Sequence, residues 1–308
     1  MAADTGDVAE PVGYEADGST VAWRAFLAEA RQRLEVAGVE GADVDARRIV
    51  EEASGYEGSE LYMGLDQPAT KRGVVAFDRM LERRVAGEPL QYVLGRWAFR
   101  TLDLMVDRRA LIPRPETEVV TGVALDELER LARPGRTVVA VDLGTGSGAI
   151  GLSFAAERPD TRVVLTDRSS DALQVARANL AGLGRAATRV AIHEGSWFEA
   201  LPSDLRGAVA VVASNPPYVS PDEDLPAEVA DWEPRGALVA GDRGRADLAA
   251  IIGSAGEWLV PDGALVLEMA PNQTAWAARL AAEAGYVEIE AIVDLAGRNR
   301  GIRARWPS

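Results

Sequence analysis

Apolar residues in the first third of the chain recur every three or four positions, the spacing that places them on one face of a helix. They fall into three groups: Trp23, Phe26, Leu27, Ala30 and Leu34; Ile49, Val50 and Ala53; and Val74, Phe77, Leu81 and Val85. Gly87 stands where it can end the third helix. We therefore predict a small helical domain over residues 21–87.

The helical spacing is lost between residues 88 and 112. Tyr92, Leu94 and Phe99 are large apolar residues in a pattern that favours short strands, and Gly95 is suited to a turn between them. We therefore predict that residues 88–112 form a hairpin connector.

The remaining segment, residues 113–308, alternates between strand and helix patterns. A helix is predicted after Pro115, and short apolar runs follow it at intervals long enough for parallel crossovers. The predicted parallel strands are 137–142, 162–166, 188–193, 208–213 and 263–268. No helical pattern separates 287–293 from 302–306, which predicts an antiparallel pair at the C-terminus. The predicted fold class is α/β, with a doubly wound sheet.

The chain is strongly acidic, with a formal net charge of −15. Residues 1–20 contain five acidic residues, no basic residue and no apolar periodicity, so we expect a disordered acidic tail. An acidic balance of this size disfavours a broad phosphate-binding surface and therefore argues against nucleic acid as a partner.

Cysteine is absent, which excludes a disulfide framework, thiolate metal ligands and a cysteine nucleophile. No apolar run approaches the roughly 20 residues of a membrane span, and the N-terminus lacks the features of a signal peptide. We expect a cytoplasmic protein without a membrane partner.

The most informative stretch of the sequence is Asn215-Pro216-Pro217-Tyr218, called here the acceptor strip. Each proline fixes its own φ and biases the residue before it towards extended geometry, so the strip is rigid. The Asn215 side-chain oxygen and the Pro216 main-chain oxygen can accept two hydrogen bonds from a planar NH2 group, and Tyr218 can stack on that group. The strip follows an apolar run, which places it at the carboxyl end of a strand, where α/β sheets hold their sites.

A second candidate site element is the glycine-rich run from Asp142 to Gly148, which reads as strand, turn and helix start. Glycines allow close backbone approach to a ligand. The spacing is G-x-G-x-G rather than the dinucleotide fingerprint G-x-G-x-x-G, which disfavours an oxidoreductase. Asp167 closes the next strand roughly twenty residues later and can accept from ribose hydroxyls, which NAD and S-adenosylmethionine both carry. Trp197 can flank an adenine ring.

Together these motifs resemble the class I S-adenosylmethionine-dependent methyltransferases that act on amide or exocyclic amine nitrogens. Segments 87–92, 111–118, 233–235 and 294–298 narrow the resemblance to the HemK/PrmC family, the peptide chain release factor glutamine-N(5) methyltransferases. One departure is Ser196, which stands before Trp197 where an acidic residue is common in that family.

The resemblance implies a fold, a donor and a substrate. The implied fold is a Rossmann-like methyltransferase domain over 113–308, with residues 21–87 recognising the substrate. The implied donor is S-adenosylmethionine, with the following contacts: Gly144, Thr145, Gly146, Ser147, Gly148, Asp167, Trp197 and Asn215. The implied substrate is the glutamine of the Gly-Gly-Gln motif in class-one release factors, held by Asn215, Pro216, Pro217 and Tyr218.

For catalysis we expect Asn215, Pro216 and Tyr218 to orient the amide for direct methyl transfer, without a metal ion. Three alternatives remain open at this point. They are a glutamine methyltransferase of a ribosomal protein, a methyltransferase of nucleic-acid amines, and a non-catalytic binding module.

Overall fold

The computed structural model describes residues 20–308, which divide into two compact units, one ending at Leu94 and the other comprising Gly95–Ser308. Apart from Thr20, the acidic tail predicted over 1–20 lies outside the described residues.

The first unit is helical. Its helices are α1 (Trp23–Val36), α2 (Ala42–Ser54), α3 (Ser59–Gly64), α4 (Lys71–Val85) and α5 (Leu90–Leu94). The three helices predicted from apolar spacing are confirmed as α1, α2 and α4, whereas the short α3 was not predicted. The predicted apolar faces meet in one core, in which the ring centroid of Phe26 lies 5.5 Å from that of Trp23 and 5.0 Å from that of Phe77.

The strand prediction for Tyr92 and Leu94 is wrong, because both lie in helix α5. Arg83 explains the difference, since its guanidinium donates to the carbonyl oxygens of Tyr92 at 2.8 Å and Val93 at 3.0 Å. Carbonyls at the end of a helix need such partners, and here a residue of another helix supplies them. The predicted hairpin is confirmed further along, where β1 (Arg96–Phe99) pairs antiparallel with β2 (Leu102–Met105) at the start of the second unit.

The second unit is a seven-stranded sheet with helices. Its strands are β3 (Val138–Leu143), β4 (Thr161–Asp167), β5 (Val190–Glu194), β6 (Val209–Ser214), β7 (Leu259–Glu268), β8 (Val287–Val293) and β9 (Asn299–Arg305). Its helices are α6 (Pro115–Leu131), α7 (Ala149–Glu157), α8 (Ser170–Ala181), α9 (Ala227–Trp232), α10 (Arg235–Leu238), α11 (Gly241–Gly244), α12 (Ala246–Ala255) and α13 (Thr274–Glu283). Short 3-10 turns cover Gly184–Arg189, Trp197–Ala200, Ser203–Leu205 and Pro271–Gln273.

The strand order is β5-β4-β3-β6-β7-β9-β8. Strands β3 to β7 are parallel, and β9 runs antiparallel to both of its neighbours. The predicted fold class, including the antiparallel C-terminal pair, is confirmed. The chain passes from β3 to β4 on one side and later adds β6 on the other, so the sheet has a switch point at the carboxyl end of β3. That point lies between the two motifs predicted to form the site.

Candidate active site

The loop from β3 to α7 is shaped by three glycines with positive φ: Gly144 at +68°, Gly146 at +56° and Gly148 at +90°. Only glycine adopts these angles readily. A Cβ at Gly148 would lie 2.8 Å from Leu152 Cδ1, so this glycine serves the packing of α7. A Cβ at Gly146 would meet no atom within 4 Å, so the backbone there is open to a ligand.

Asp142, which is fully buried, holds the same loop in place by hydrogen bonds. Its Oδ2 accepts hydrogen bonds from Thr145 Oγ1 at 2.5 Å and from the Gly151 N–H at 2.9 Å. Burial raises the pKa of Asp142 to about 6, against the lowering effect of these two donors. The Thr145 side chain therefore faces the protein interior. Ser147 is also buried, and its carbonyl accepts from Asn179 Nδ2 at 2.9 Å.

Asp167 closes β4 and joins the loop directly. Its Oδ2 accepts from the Gly146 N–H at 2.9 Å and its Oδ1 from the Ser169 N–H at 2.8 Å. Burial raises the pKa of Asp167, and the backbone donors oppose that change. A carboxylate has about four acceptor positions, so Asp167 can also accept from a ligand hydroxyl.

Trp197 has a φ of +44°, a value uncommon for a non-glycine residue. Such a backbone costs roughly 1–3 kcal/mol and is typical of functional sites. It places the indole against the glycine loop, because a Cβ at Gly144 would lie 3.1 Å from the ring atom Cζ3. Ser196, the departure noted in the sequence, also lines the cavity described next.

These elements surround a cavity of about 270 Å³. Its walls include the predicted site residues Gly144, Gly146, Asp167, Trp197, Asn215 and Pro217. The structure thus brings together both halves of the predicted site, from the ends of β3, β4 and β6.

A further wall of the cavity comes from Arg109 to Leu111, to which the sequence reasoning gave no site role. The adjoining chain is tethered by Glu233, whose carboxylate accepts from the Ile112 N–H at 3.2 Å and forms an ion pair with Arg114. These two contacts hold the motifs at 111–118 and 233–235 together beside the cavity.

The acceptor strip follows β6, and its polar groups form hydrogen bonds with residues of α6, β7 and the turn at Pro271–Gln273. Asn215 Nδ2 donates to Thr117 Oγ1 at 3.3 Å, and the Tyr218 hydroxyl donates to Glu268 Oε1 at 3.3 Å. The Tyr218 carbonyl accepts from Gln273 Nε2 at 2.9 Å. Because the Asn215 nitrogen is bonded to Thr117, its Oδ1 is the side-chain atom left to accept from a ligand.

Glu268 is the principal residue that the sequence reasoning missed. It is 1% exposed, and within residues 20–308 its Oε2 has no hydrogen-bond partner. Burial raises its pKa to about 7, against the lowering effect of the neighbouring Thr117 and Tyr218 hydroxyls. It ends the strand predicted over 263–268, so the strand-end rule that identified Asp167 also points to it.

Comparison with known proteins identifies the family. The model of the PrmC N-terminal domain matches residues 25–95, and that of the methyltransferase small domain matches residues 121–230. A release factor glutamine methyltransferase of Burkholderia pseudomallei is 38% identical over 268 residues, covering 86% of this chain and 92% of its own. The chain belongs to the release factor glutamine methyltransferase family. Two further members, from Rhodopirellula baltica and Cereibacter sphaeroides, are 36% and 37% identical and cover 85% and 92% of this chain, and 89% and 98% of their own.

Membership of the release factor glutamine methyltransferase family confirms the resemblance read from the motifs and the assignment as a methyltransferase. S-adenosylmethionine is the donor of this class, and the cavity fits it, since Gly146 leaves open backbone beside a carboxylate and an indole ring. Within residues 20–308, no cluster of three or more histidine, cysteine, aspartate or glutamate side chains is arranged to bind a metal ion. Over the same residues, no helix is long and apolar enough to cross a membrane.

Proposed function

We propose that this protein transfers a methyl group from S-adenosylmethionine to the side-chain amide nitrogen of the Gly-Gly-Gln glutamine in class-one release factors. The observation that carries the proposal is the Asn215 amide, whose nitrogen is bonded to Thr117 and whose oxygen is left to accept. It stands beside the cavity formed by the glycine loop, Asp167 and Trp197.

Donor binding is assigned to the residues that line the cavity. The Asp167 carboxylate accepts from ribose hydroxyls, the Trp197 indole flanks the adenine, and the open backbone at Gly146 permits close approach. Thr145, Ser147 and Gly148 act by holding the loop in shape, as their buried contacts indicate. Bound S-adenosylmethionine supplies an electrophilic methyl group on a sulfonium centre.

The acceptor strip must make a poor nucleophile reactive, because the amide nitrogen lone pair is delocalised into its carbonyl. Asn215 Oδ1 and the Pro216 carbonyl oxygen accept hydrogen bonds from the two N–H groups of the substrate amide. These bonds increase the electron density on the amide nitrogen and orient that nitrogen towards the cavity. Orientation of this kind contributes roughly 7–11 kcal/mol in favourable cases. Tyr218 covers the flat amide. The C–N bond forms as the methyl–sulfur bond breaks, which leaves a neutral thioether, and the methylated nitrogen then releases one proton to water.

Substrate selection is assigned to the helical N-terminal domain. Residues 25–95 match the PrmC N-terminal domain, the part of the chain that distinguishes this family from the general methyltransferase domain. The net charge of −15 disfavours the nucleic-acid alternative.

The test is transfer of labelled methyl from S-adenosylmethionine to a purified class-one release factor. Label is expected on the native factor and not on a factor whose Gly-Gly-Gln glutamine is replaced by alanine. The Asn215→Ala enzyme should transfer roughly 10- to 100-fold more slowly, as expected for one lost hydrogen bond, with less effect on donor affinity. Label on ribosomal protein or nucleic acid instead of the factor would overturn the assignment of substrate.

A further inference from the structure

The acceptor strip is followed by a segment that returns and packs against it. The Val219 N–H donates to the Leu238 carbonyl at 2.9 Å, and the Ala240 N–H donates to the Val219 carbonyl at 3.1 Å. These two bonds form a parallel bridge between Val219 and Val239. The residues that come after the bridge, 241–244, are therefore held beside the end of the strip.

Three residues of the short element α11 have a left-handed backbone: Asp242, Arg243 and Gly244, with φ of +48°, +56° and +78°. This conformation is unfavourable for residues that carry a Cβ, and it persists where the surrounding structure fixes it. Asp242 and Arg243 are both exposed, so burial of their side chains does not offset the cost. The contacts that fix this left-handed turn are made by Gly244.

Gly244 packs against the carbonyl group of Tyr218, the last residue of the acceptor strip. A Cβ at Gly244 would overlap the Tyr218 carbonyl oxygen and would lie 2.8 Å from Gln273 Nε2. The close approach and the positive φ both require glycine here. Any change that displaces the left-handed turn therefore also displaces the end of the strip.

Gln273 joins the left-handed turn to the strip. Its Nε2 donates to the Tyr218 carbonyl at 2.9 Å and to the Gly244 carbonyl at 3.1 Å, and its Oε1 accepts from the Ala270 N–H at 3.1 Å. Because a backbone N–H needs an acceptor, the bond from Ala270 identifies the amide oxygen and leaves the NH2 to donate to both carbonyls. Gln273 is 4% exposed, so bulk water does not compete for these bonds.

We propose that Gly244 and Gln273 are positioning residues for methyl transfer, which fix the Tyr218 carbonyl and thereby the place of the Tyr218 ring over the substrate amide. The proposal rests on the proposed function, in which Tyr218 covers that amide. Among residues 20–308, neither Gly244 nor Gln273 is part of the walls of the cavity assigned to the donor. Both residues therefore act through Tyr218, and donor binding does not depend on them.

The test uses the full-length enzyme with S-adenosylmethionine and a release factor, and measures the single-turnover transfer rate at saturating factor together with donor affinity. Gly244→Ala and Gln273→Met should each slow transfer roughly 10- to 100-fold at unchanged donor affinity, because a displacement of about 1 Å can cost that much. The matched control is Gly241→Ala, whose added methyl would make an ordinary contact of 3.7 Å with the Ala246 Cβ. It should transfer at the rate of the unaltered enzyme. If Gly244→Ala does not fold, Gln273→Met, which keeps the approximate shape of the side chain, decides the question.

A double substitution tests whether Gln273 acts through the Tyr218 ring. In Tyr218→Ala the ring is absent, so adding Gln273→Met should slow transfer by roughly twofold or less beyond Tyr218→Ala alone. If the two substitutions instead multiply their separate effects, Gln273 does not act through that ring and the proposal is wrong.

The outcomes separate this inference from the proposed function. An unaltered enzyme that does not label the factor refutes the proposed function, and this inference with it. An active unaltered enzyme whose Gln273→Met variant transfers normally refutes the positioning role alone. Parallel loss of donor affinity and transfer in Gln273→Met, or equal slowing by Gly241→Ala and Gly244→Ala, also overturns that role, because either result indicates a general structural effect.

Discussion

The Glu268→Gln substitution should change how the free energy of unfolding depends on pH, by an amount that follows from the pKa of Glu268. The substitution keeps the shape of the side chain and removes an ionisable group from a site that is 1% exposed. Burial raises the pKa of Glu268 from 4.5 to about 7, and each pKa unit corresponds to 1.36 kcal/mol. Charging this carboxyl inside the fold therefore costs about 3 kcal/mol. Because the folded state holds the proton more tightly than the unfolded state, the free energy of unfolding should fall as pH rises from 4.5 to about 7.

The assay is urea unfolding of the unaltered protein and the Glu268→Gln variant at about pH 5 and about pH 8. Between these conditions the unaltered protein should lose about 2–3 kcal/mol relative to the variant. The carboxyl of Asp142, whose pKa is also raised by burial, titrates in both proteins, so its effect cancels in the comparison. Glu194→Gln, at the exposed end of β5, is the control for removing a surface charge. Equal pH dependence in the unaltered protein and Glu268→Gln would refute the reasoning.

Three other substitutions test the architecture around the site. Asp167→Asn places an amide NH2 beside backbone N–H donors that need an acceptor. It should weaken S-adenosylmethionine binding, measured by calorimetry, roughly 10- to 100-fold. Unchanged affinity would contradict the assignment of the ribose contact. Gly151→Ala would bring a methyl group within 2.4 Å of Leu165 and should lower the free energy of unfolding by roughly 1–3 kcal/mol. The control is Gly253→Ala on α12, where the added methyl meets open space and should raise the free energy of unfolding slightly. Equal effects of the two substitutions would refute the packing argument. Gln273→Glu replaces the donor to the Tyr218 carbonyl with a carboxylate and should slow transfer at unchanged donor affinity, and a normal rate would show that the strip does not need this bond.

Strand β6 was located well because it is buried on both faces and reads as a continuous apolar run. The run predicted as 208–213 is β6, Val209–Ser214, which is entirely buried. The start of β7 was missed because Pro261, Asp262 and Gly263 resemble a turn. The strand continues through them to Leu259, which pairs with Val209, while Asp262 adopts a φ of +63°. The turn signal is therefore expressed as an irregularity inside the strand, where the register shifts between the pairs Val209–Leu259 and Val211–Ala264.

The site was predictable where residues stand at strand ends. Asp167 and Asn215 were found in this way and line one cavity, although their contacts with ligands stay predictions. Thr117 was not found, because no local pattern shows that a threonine in α6 faces an asparagine 98 positions later. The positive φ of Trp197 could not be predicted from the sequence either, because a left-handed backbone at a tryptophan depends on the surrounding packing.

The acceptor strip depends on residues that come much later in the chain, Glu268 and Gln273, which lie 50 and 55 positions beyond Tyr218. The hydrogen bonds described above for the glycine loop and Asp167 join residues that all precede the acceptor strip in the chain. During synthesis, domains are completed from the N-terminus onward. A growing chain therefore carries the elements of its donor site before the strip can be braced, and a message truncated after β6 would yield a product in which the strip lacks both of these supports.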